Sequence, residues 1–407
     1  MLNILWASFF ILAFFSGIGQ SIQGNYDIWS ELVGSLFSSS KNAFMISINL
    51  TGILCLWMGL LKIAEQSGLT GMLCKFLRPL FKKIFPEVPE NSPAYGSMIM
   101  NMAANFLGLD NAATPMGLKA MEELQTINPH KDTASNAEIL FMVINSSAVT
   151  LVPISIIMYR AEMGATNPSA VFLPILFATS ASTLIGFLSV AYVQKLNIFN
   201  KVVLGYLLVF ISIIALSAYF FISNSPDNRT YYSTIISNML LYGIVVGFIV
   251  AGLIKRLNVY EVFIEGAKEG FGVAVKIIPY LVAMLVGIAV FRSSGALDYI
   301  IDVLTGILTL LGVNTDFVPA LPTALLKPLS GSGARAMMIE TMSNYGADSF
   351  PSFVSGVIQG STETTFYILA VYFGAIKVMK TRHALPCALL ADFAGISTAI
   401  ICGYLFY

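Results

Sequence analysis

The chain has 407 residues, 57% of them hydrophobic and only 11% charged, and its 22 basic and 22 acidic side chains balance to zero. Mean hydropathy is +0.79. Soluble domains carry roughly a quarter charged residues, so a soluble globular fold is excluded, and nucleic-acid binding, which needs a basic patch interleaved with aromatics, has no support.

Apolar runs that match the thickness of a bilayer lie near 4–22, 44–64, 138–159, 172–194, 203–223, 232–254, 273–292, 353–376 and 385–406. Shorter or interrupted segments fall between them, at 25–42, 69–85, 94–124, 258–270, 297–312 and 318–342. The expected fold is an all-α polytopic membrane protein with nine crossings. The opening MLNILWASFFILAFFSGIGQ lacks a positive n-region and a small-x-small cleavage site, so it reads as a retained first helix. Cys55, Cys74, Cys387 and Cys402 stand singly in apolar segments and read as small core residues. Both histidines, His130 and His383, fall in polar loops, and no HExxH, GxSxG or Walker pattern occurs. An enzyme is not expected, nor is a resident cofactor.

One order of elements is written twice. SELVGSLFSSSKNAF (30–44), then an apolar run ending at Ser67-Gly68, parallels NVYEVFIEGAKEGFG (258–272), then a run ending at Ser294-Gly295. Lys41 and Lys268 match, and both read as interfacial lysines. Each half continues with a short amphipathic stretch, an interrupted helix, a polar run inside a span (INSSAVT, 144–150; IQGSTET, 358–364) and a helix opening on Leu-Pro. The expected division is a first repeat at 1–198, a linking helix at 199–230 and a second repeat at 231–407. Lys75, Arg78, Lys82 and Lys83 fill the first amphipathic stretch, whereas its counterpart carries Asp298, Asp302 and Asp316. Basic residues gather on the cytoplasmic side, so the two halves are expected to be inverted, as in secondary transporters.

AYGSMIMNMAANFLGLDNAATPMGLKAMEEL (94–124) is long enough for two half-helices, with Gly108, Asn111 and Pro115 as interruptions. A re-entrant hairpin turning at LDNAATP is expected, with a mate at 318–342 whose tip is PLSGSGAR. Lipid cannot satisfy freed backbone groups, so such tips and the two polar runs should converge in protein or on a cavity. Half-helix N-termini there suit an anionic group. Asp110 reads as a helix N-cap, a solute contact or a cation ligand. Arg335 coordinates an anion or pairs with Glu363, and Glu363 is the proton-coupling candidate or a structural hydrogen-bonding group. Asn101, Asn105, Asn145 and Gln359 serve as solute contacts or as interhelical glue, and Asp392 is a further cation-ligand candidate.

NMAANFLGLDNAATPMGLKAM resembles the signature of spore maturation protein A, and KPLSGSGARAMM with VIQGSTETTFYILAVYFGAI resembles spore maturation protein B. The chain therefore looks like a fusion of the two, within a nucleoside-recognition (gate) group that includes parts of concentrative nucleoside transporters and ferrous-iron transport proteins. The resemblance implies paired hairpins and broken helices holding solute and coupling ion. It places Asp110, Asn111, Thr114, Asn145, Ser146, Ser147, Ser330, Ser332, Gln359, Ser361, Thr362 and Glu363 at the site, beside Arg335 and Thr364 from the same runs. The expected protein is a secondary transporter of a small polar, anionic or zwitterionic solute, coupled to H+ or Na+. It is expected as a homodimer in the bacterial cytoplasmic membrane. The rival readings are a non-transporting module that binds a ligand or a partner protein, and a flippase of a lipid-linked substrate.

Overall fold

The computed structural model describes residues 2–89, 91–107, 110–151 and 153–407, without the side chains of residues 2, 3, 5, 70, 107, 110–112, 226 and 227. Among the described residues every regular element is a helix. In chain order these are α1 (Leu2–Ile22), α2 (Ile28–Gln66), α3 (Leu69–Ile84), α4 (Ala94–Leu107), α5 (Asp110–Ile127), α6 (Asn136–Ser146), α7 (Ile154–Glu162) and α8 (Phe172–Gln194). Then follow α9 (Lys201–Ile222), α10 (Pro226–Ile254), α11 (Val259–Ser293), α12 (Ala296–Leu310), α13 (Leu321–Leu326) and α14 (Gly331–Tyr345). The chain closes with α15 (Phe350–Gly360), α16 (Thr365–Ala375) and α17 (Ala384–Phe406).

Among the described residues six helices, α2, α8, α9, α10, α11 and α17, are long and apolar enough to cross a bilayer, and α1 adds a shorter apolar helix. The remaining two expected crossings, 138–159 and 353–376, are each divided, into α6/α7 and α15/α16. The protein is an all-α, polytopic membrane protein.

Two segments expected to stand apart do not. Residues 25–42 are largely continuous with 44–64 in the 39-residue α2, and 258–270 with 273–292 in the 35-residue α11. At ~1.5 Å per residue these helices are about 58 and 52 Å long, well beyond one hydrocarbon thickness. They pack on each other along much of their length, and the pairing is antiparallel. Leu54–Cys55 meets Gly270, Gly59 meets Gly266, Lys62 meets Glu269, and Gln66 meets Glu265. A Cβ at Gly266 would lie 2.4 Å from the Met58 carbonyl, and one at Gly270 2.7 Å from that of Leu54. These glycines permit backbone-to-backbone approach, which drives helix association where lipid removes the hydrophobic incentive. They act as contacts, which is why they do not break the helix.

The second long pair, α8 and α17, is also antiparallel. Phe177 stacks on Phe406, Ser182 meets Gly395, Gly186 meets Ala391, and Gln194 hydrogen-bonds His383. In the expected repeat, α2 and α8 are the counterparts of α11 and α17. Their ends match too: Ser67 and Ser294 each bond their hydroxyl to the carbonyl three residues back, and each precedes a left-handed glycine, Gly68 (φ 81°) or Gly295 (φ 74°). Beyond those turns α3 and α12 bury one face (Leu73, Leu77, Leu80, Phe81; Leu297, Ile301, Leu304, Leu308) at helical spacing.

α4 and α5 fold back on each other. Asn101 Nδ2 donates to the Ala113 carbonyl at 2.8 Å and also faces Gly117. Asn111 and Pro115 were expected to interrupt this segment, but both lie inside a continuous α5. Gly108 and Leu109, between α4 and α5, lie outside the described residues. α9 buries only Val203 and Phe221, so its surface is nearly all apolar and outward.

Candidate functional site

The divided helices meet. α6 ends at Ser146 and α15 at Gly360, and the Glu363 amide donates to the Ser146 carbonyl at 2.8 Å. α8 reaches the first interruption, where the Thr183 hydroxyl donates to the Ser147 carbonyl. α17 reaches the second, where a Cβ at Gly395 would lie 2.7 Å from Thr362 Cγ2 and 3.0 Å from the Ser361 carbonyl. The tip between α13 and α14 also docks here: the Phe366 amide donates to the Pro328 carbonyl at 3.0 Å. A membrane interior demands this mutual satisfaction of exposed backbone groups.

Beside these interruptions lies a cavity of about 240 Å³. Its walls come from α2 and α11 (Trp57, Met58, Lys62, Glu65, Glu269), α4 (Asn105), the first interruption and α7 (Thr150, Pro153, Ser155, Met158) and the second half (Lys327, Arg335, Gln359, Thr362, Glu363). Three cations and three carboxylates thus share one small space. Lys62 bonds Glu269 at 2.8 Å and lies 3.9 Å from Glu265. Arg335 sits over the Tyr159 ring, 5.7 Å from its centroid, a position a planar guanidinium takes well.

Of the expected site residues, Arg335, Gln359, Thr362 and Glu363 line the cavity. No ion pair within 4 Å joins Arg335 to Glu363; the stacked tyrosine holds the arginine instead. Glu363 is exposed rather than enclosed by apolar groups, so burial gives no support to its expected role in proton coupling. Gln359 is 6% exposed, and its Oε1 has no hydrogen-bond partner.

The other positions do different work. Ser146 and Ser147 are buried, and both hydroxyls donate to the Val143 carbonyl, closing the end of α6. Ser361 does the same to Ile358. Ser330 caps α14, accepting from the Gly333 amide at 3.0 Å and bonding Ser332 at 3.3 Å. Thr364 is buried at the start of α16 with its hydroxyl against Gly331. Asn145 accepts from Asn105 at 2.8 Å and from the Tyr372 hydroxyl at 3.2 Å, while Asn101 donates to Tyr372 at 3.4 Å. This network ties α4, α6 and α16 together. Thr114 is exposed on α5, and the side chains of Asp110 and Asn111 lie outside the described residues.

Sequence reasoning passed over Lys62, Glu65, Glu269 and Lys327 as wall residues. Charges inside apolar spans were the available signal, since such groups seldom sit in membrane helices without partners or function.

Comparison with known proteins gives the family. The Gate family, described as nucleoside recognition, matches residues 47–166 and 274–379. The chain belongs to this family. Each matched block contains one interruption, and together the two blocks include every wall residue named above except Glu269. The chain is 48% identical over 158 residues to spore maturation protein B of Bacillus subtilis (strain 168), covering 39% of this chain and 87% of that protein. It is 37% identical over 183 residues to spore maturation protein A of the same organism, covering 45% of this chain and 90% of the relative. No solved structure matches.

Proposed function

We propose that this gate-family protein is a secondary transporter, in the bacterial cytoplasmic membrane, for a small dipolar solute. The observation that carries the reading is the cavity itself, with three cations and three carboxylates on about 240 Å³ of space between antiparallel counterpart helices. Pockets for drug-sized ligands run to about 300–1,000 Å³, so this one suits a single small metabolite. Its opposed charges suit a zwitterion or a polar solute with an anionic group, and Trp57 adds an aromatic face. The family description makes nucleosides the first class to assay.

Two inverted copies of one unit, residues 1–198 and 231–407 joined by the helix at 199–230, form the scaffold of this reading. The antiparallel pairs α2/α11 and α8/α17 support it, as do the matched Ser-Gly turns. α4/α5 and α13/α14 serve as re-entrant hairpins that open the cavity alternately to either side. The copies associate as a homodimer through the outward apolar helices, α9 among them.

The test is flux of labelled nucleosides and amino acids into proteoliposomes. The reading expects uptake that Arg335→Gln and Glu363→Gln each reduce without loss of folded protein. Saturable binding with no flux would instead identify a ligand-binding module.

A further inference from the structure

We propose that Asp392 of α17, with the hydroxyls of Thr362 and Thr365, forms a binding site for a small monovalent cation, sodium. Asp392 is 2% exposed and neither of its carboxylate oxygens has a hydrogen-bond partner. Thr362 is 3% exposed and Thr365 is fully buried, and both of their hydroxyl oxygens are likewise unpartnered. Both threonines sit close enough to act on the carboxylate, yet neither closes a hydrogen bond of good geometry to it. Buried polar groups are almost always satisfied, so a carboxylate and two hydroxyls that meet only in poor geometry leave room for a further ligand.

The neighbouring geometry adds ligands of the same kind. One turn along α17, Gly395 faces the Ser361 carbonyl and the Cβ of Ser182, whose own buried hydroxyl is also unpartnered. All candidate ligands are oxygens, the donor set of a hard ion. Among the described residues no group of three His, Cys, Asp or Glu is assembled as a transition metal would require. One carboxylate and several neutral oxygens match a single positive charge. The counterpart of Asp392, counted from the Leu-Pro that opens each helix, is Ser180, so only the second interruption carries the charge.

The charged group that faces Asp392 is Lys327, on the tip between α13 and α14. Lys327 and Thr362 both line the cavity as well. A cation at Asp392 therefore opposes the pull of the carboxylate on Lys327 and leaves that ammonium's field to the solute space. This coupling role rests on the transport reading; the binding site does not.

Thermal unfolding of the purified protein, with no solute present, tests the site. Sodium chloride replaces choline chloride at constant ionic strength. The melting temperature is expected to rise with the logarithm of sodium concentration. Asp392→Asn should abolish that rise, and Thr365→Val should increase the half-effective sodium concentration by roughly tenfold. If Asp392→Asn does not fold, Thr362→Val and Thr365→Val carry the test. Superimposable sodium and choline curves overturn the proposal. So does a full sodium response in Asp392→Asn, or in both threonine variants, or stabilisation by acid alone, which would make Asp392 a proton site or merely the partner of Lys327. Since no solute is used, failure here leaves the transport reading standing, and absent flux leaves this one standing.

Discussion

The Glu363 amide donates to the Ser146 carbonyl at 2.8 Å across 217 residues of sequence, fastening the interruption of α15/α16 to that of α6/α7. Neither helix could stop inside a membrane without such a partner. Two sequence-distant defects thereby become one polar centre.

That centre is packed tightly against α17. Gly395→Val is expected to destabilise the protein by about 1–3 kcal/mol, because the added atoms meet Thr362 and the Ser361 carbonyl below van der Waals distance. A lower melting temperature with unchanged helix content by circular dichroism is the expected readout. An unchanged melting temperature would show that the interruption yields easily.

Tyr372 joins three elements through its hydroxyl. Tyr372→Phe leaves the Phe141 stack (centroids 5.9 Å apart) intact but removes the partner of Asn145 and Asn101. The expected cost is about 0.5–1.5 kcal/mol. A double-mutant cycle with Asn101→Ala should show coupling, and strict additivity would dismiss the network.

Arg335 acts through its shape as well as its charge. Arg335→Lys keeps the cation but loses the planar group that lies over Tyr159. Solute uptake should fall by at least roughly tenfold in kcat/KM, with thermal stability little changed. Wild-type kinetics in this variant would remove Arg335 from the solute site.

Outside the membrane, Asp348 accepts from the Thr166 hydroxyl and from the Thr166 amide at 2.9 Å, and lies 3.7 Å from buried Arg160. The Thr166 hydrogen bonds, with Arg160 contributing least, hold its carboxyl below the usual range. A depressed folded-state value means that its stabilising contribution is complete above the unfolded value of about 3.9 and is lost as pH falls through the folded one. Asp348→Asn should therefore lower stability at neutral pH and flatten the acid limb of the melting-temperature profile. Parallel wild-type and variant profiles would show no linkage.

Much of the architecture is readable from the chain. The spans, the polar runs at 144–150 and 358–364, and the Ser-Gly turns all appear where local chemistry sets them, because a membrane leaves a polar run few outcomes. Helix continuity through 42–44 and 270–273 is not readable. Gly270 looks like a breaker until the Leu54 carbonyl is seen against it. The fate of individual hydroxyls is equally hidden: Ser146, Ser147 and Ser361 turn back to their own helices, whereas Thr362 and Thr365 do not. The Lys62–Glu269 pair joins residues 207 positions apart, and no local pattern announces it.

The inversion of the two halves is tested most directly by the sidedness of α3 and α12. In a background with the four native cysteines replaced by serine, Lys75→Cys and Asp302→Cys, both at exposed positions, are labelled with a membrane-impermeant thiol reagent. The account predicts that Cys at 75 reacts only from the cytoplasmic face and Cys at 302 only from the opposite face. Labelling of both from one face would contradict it.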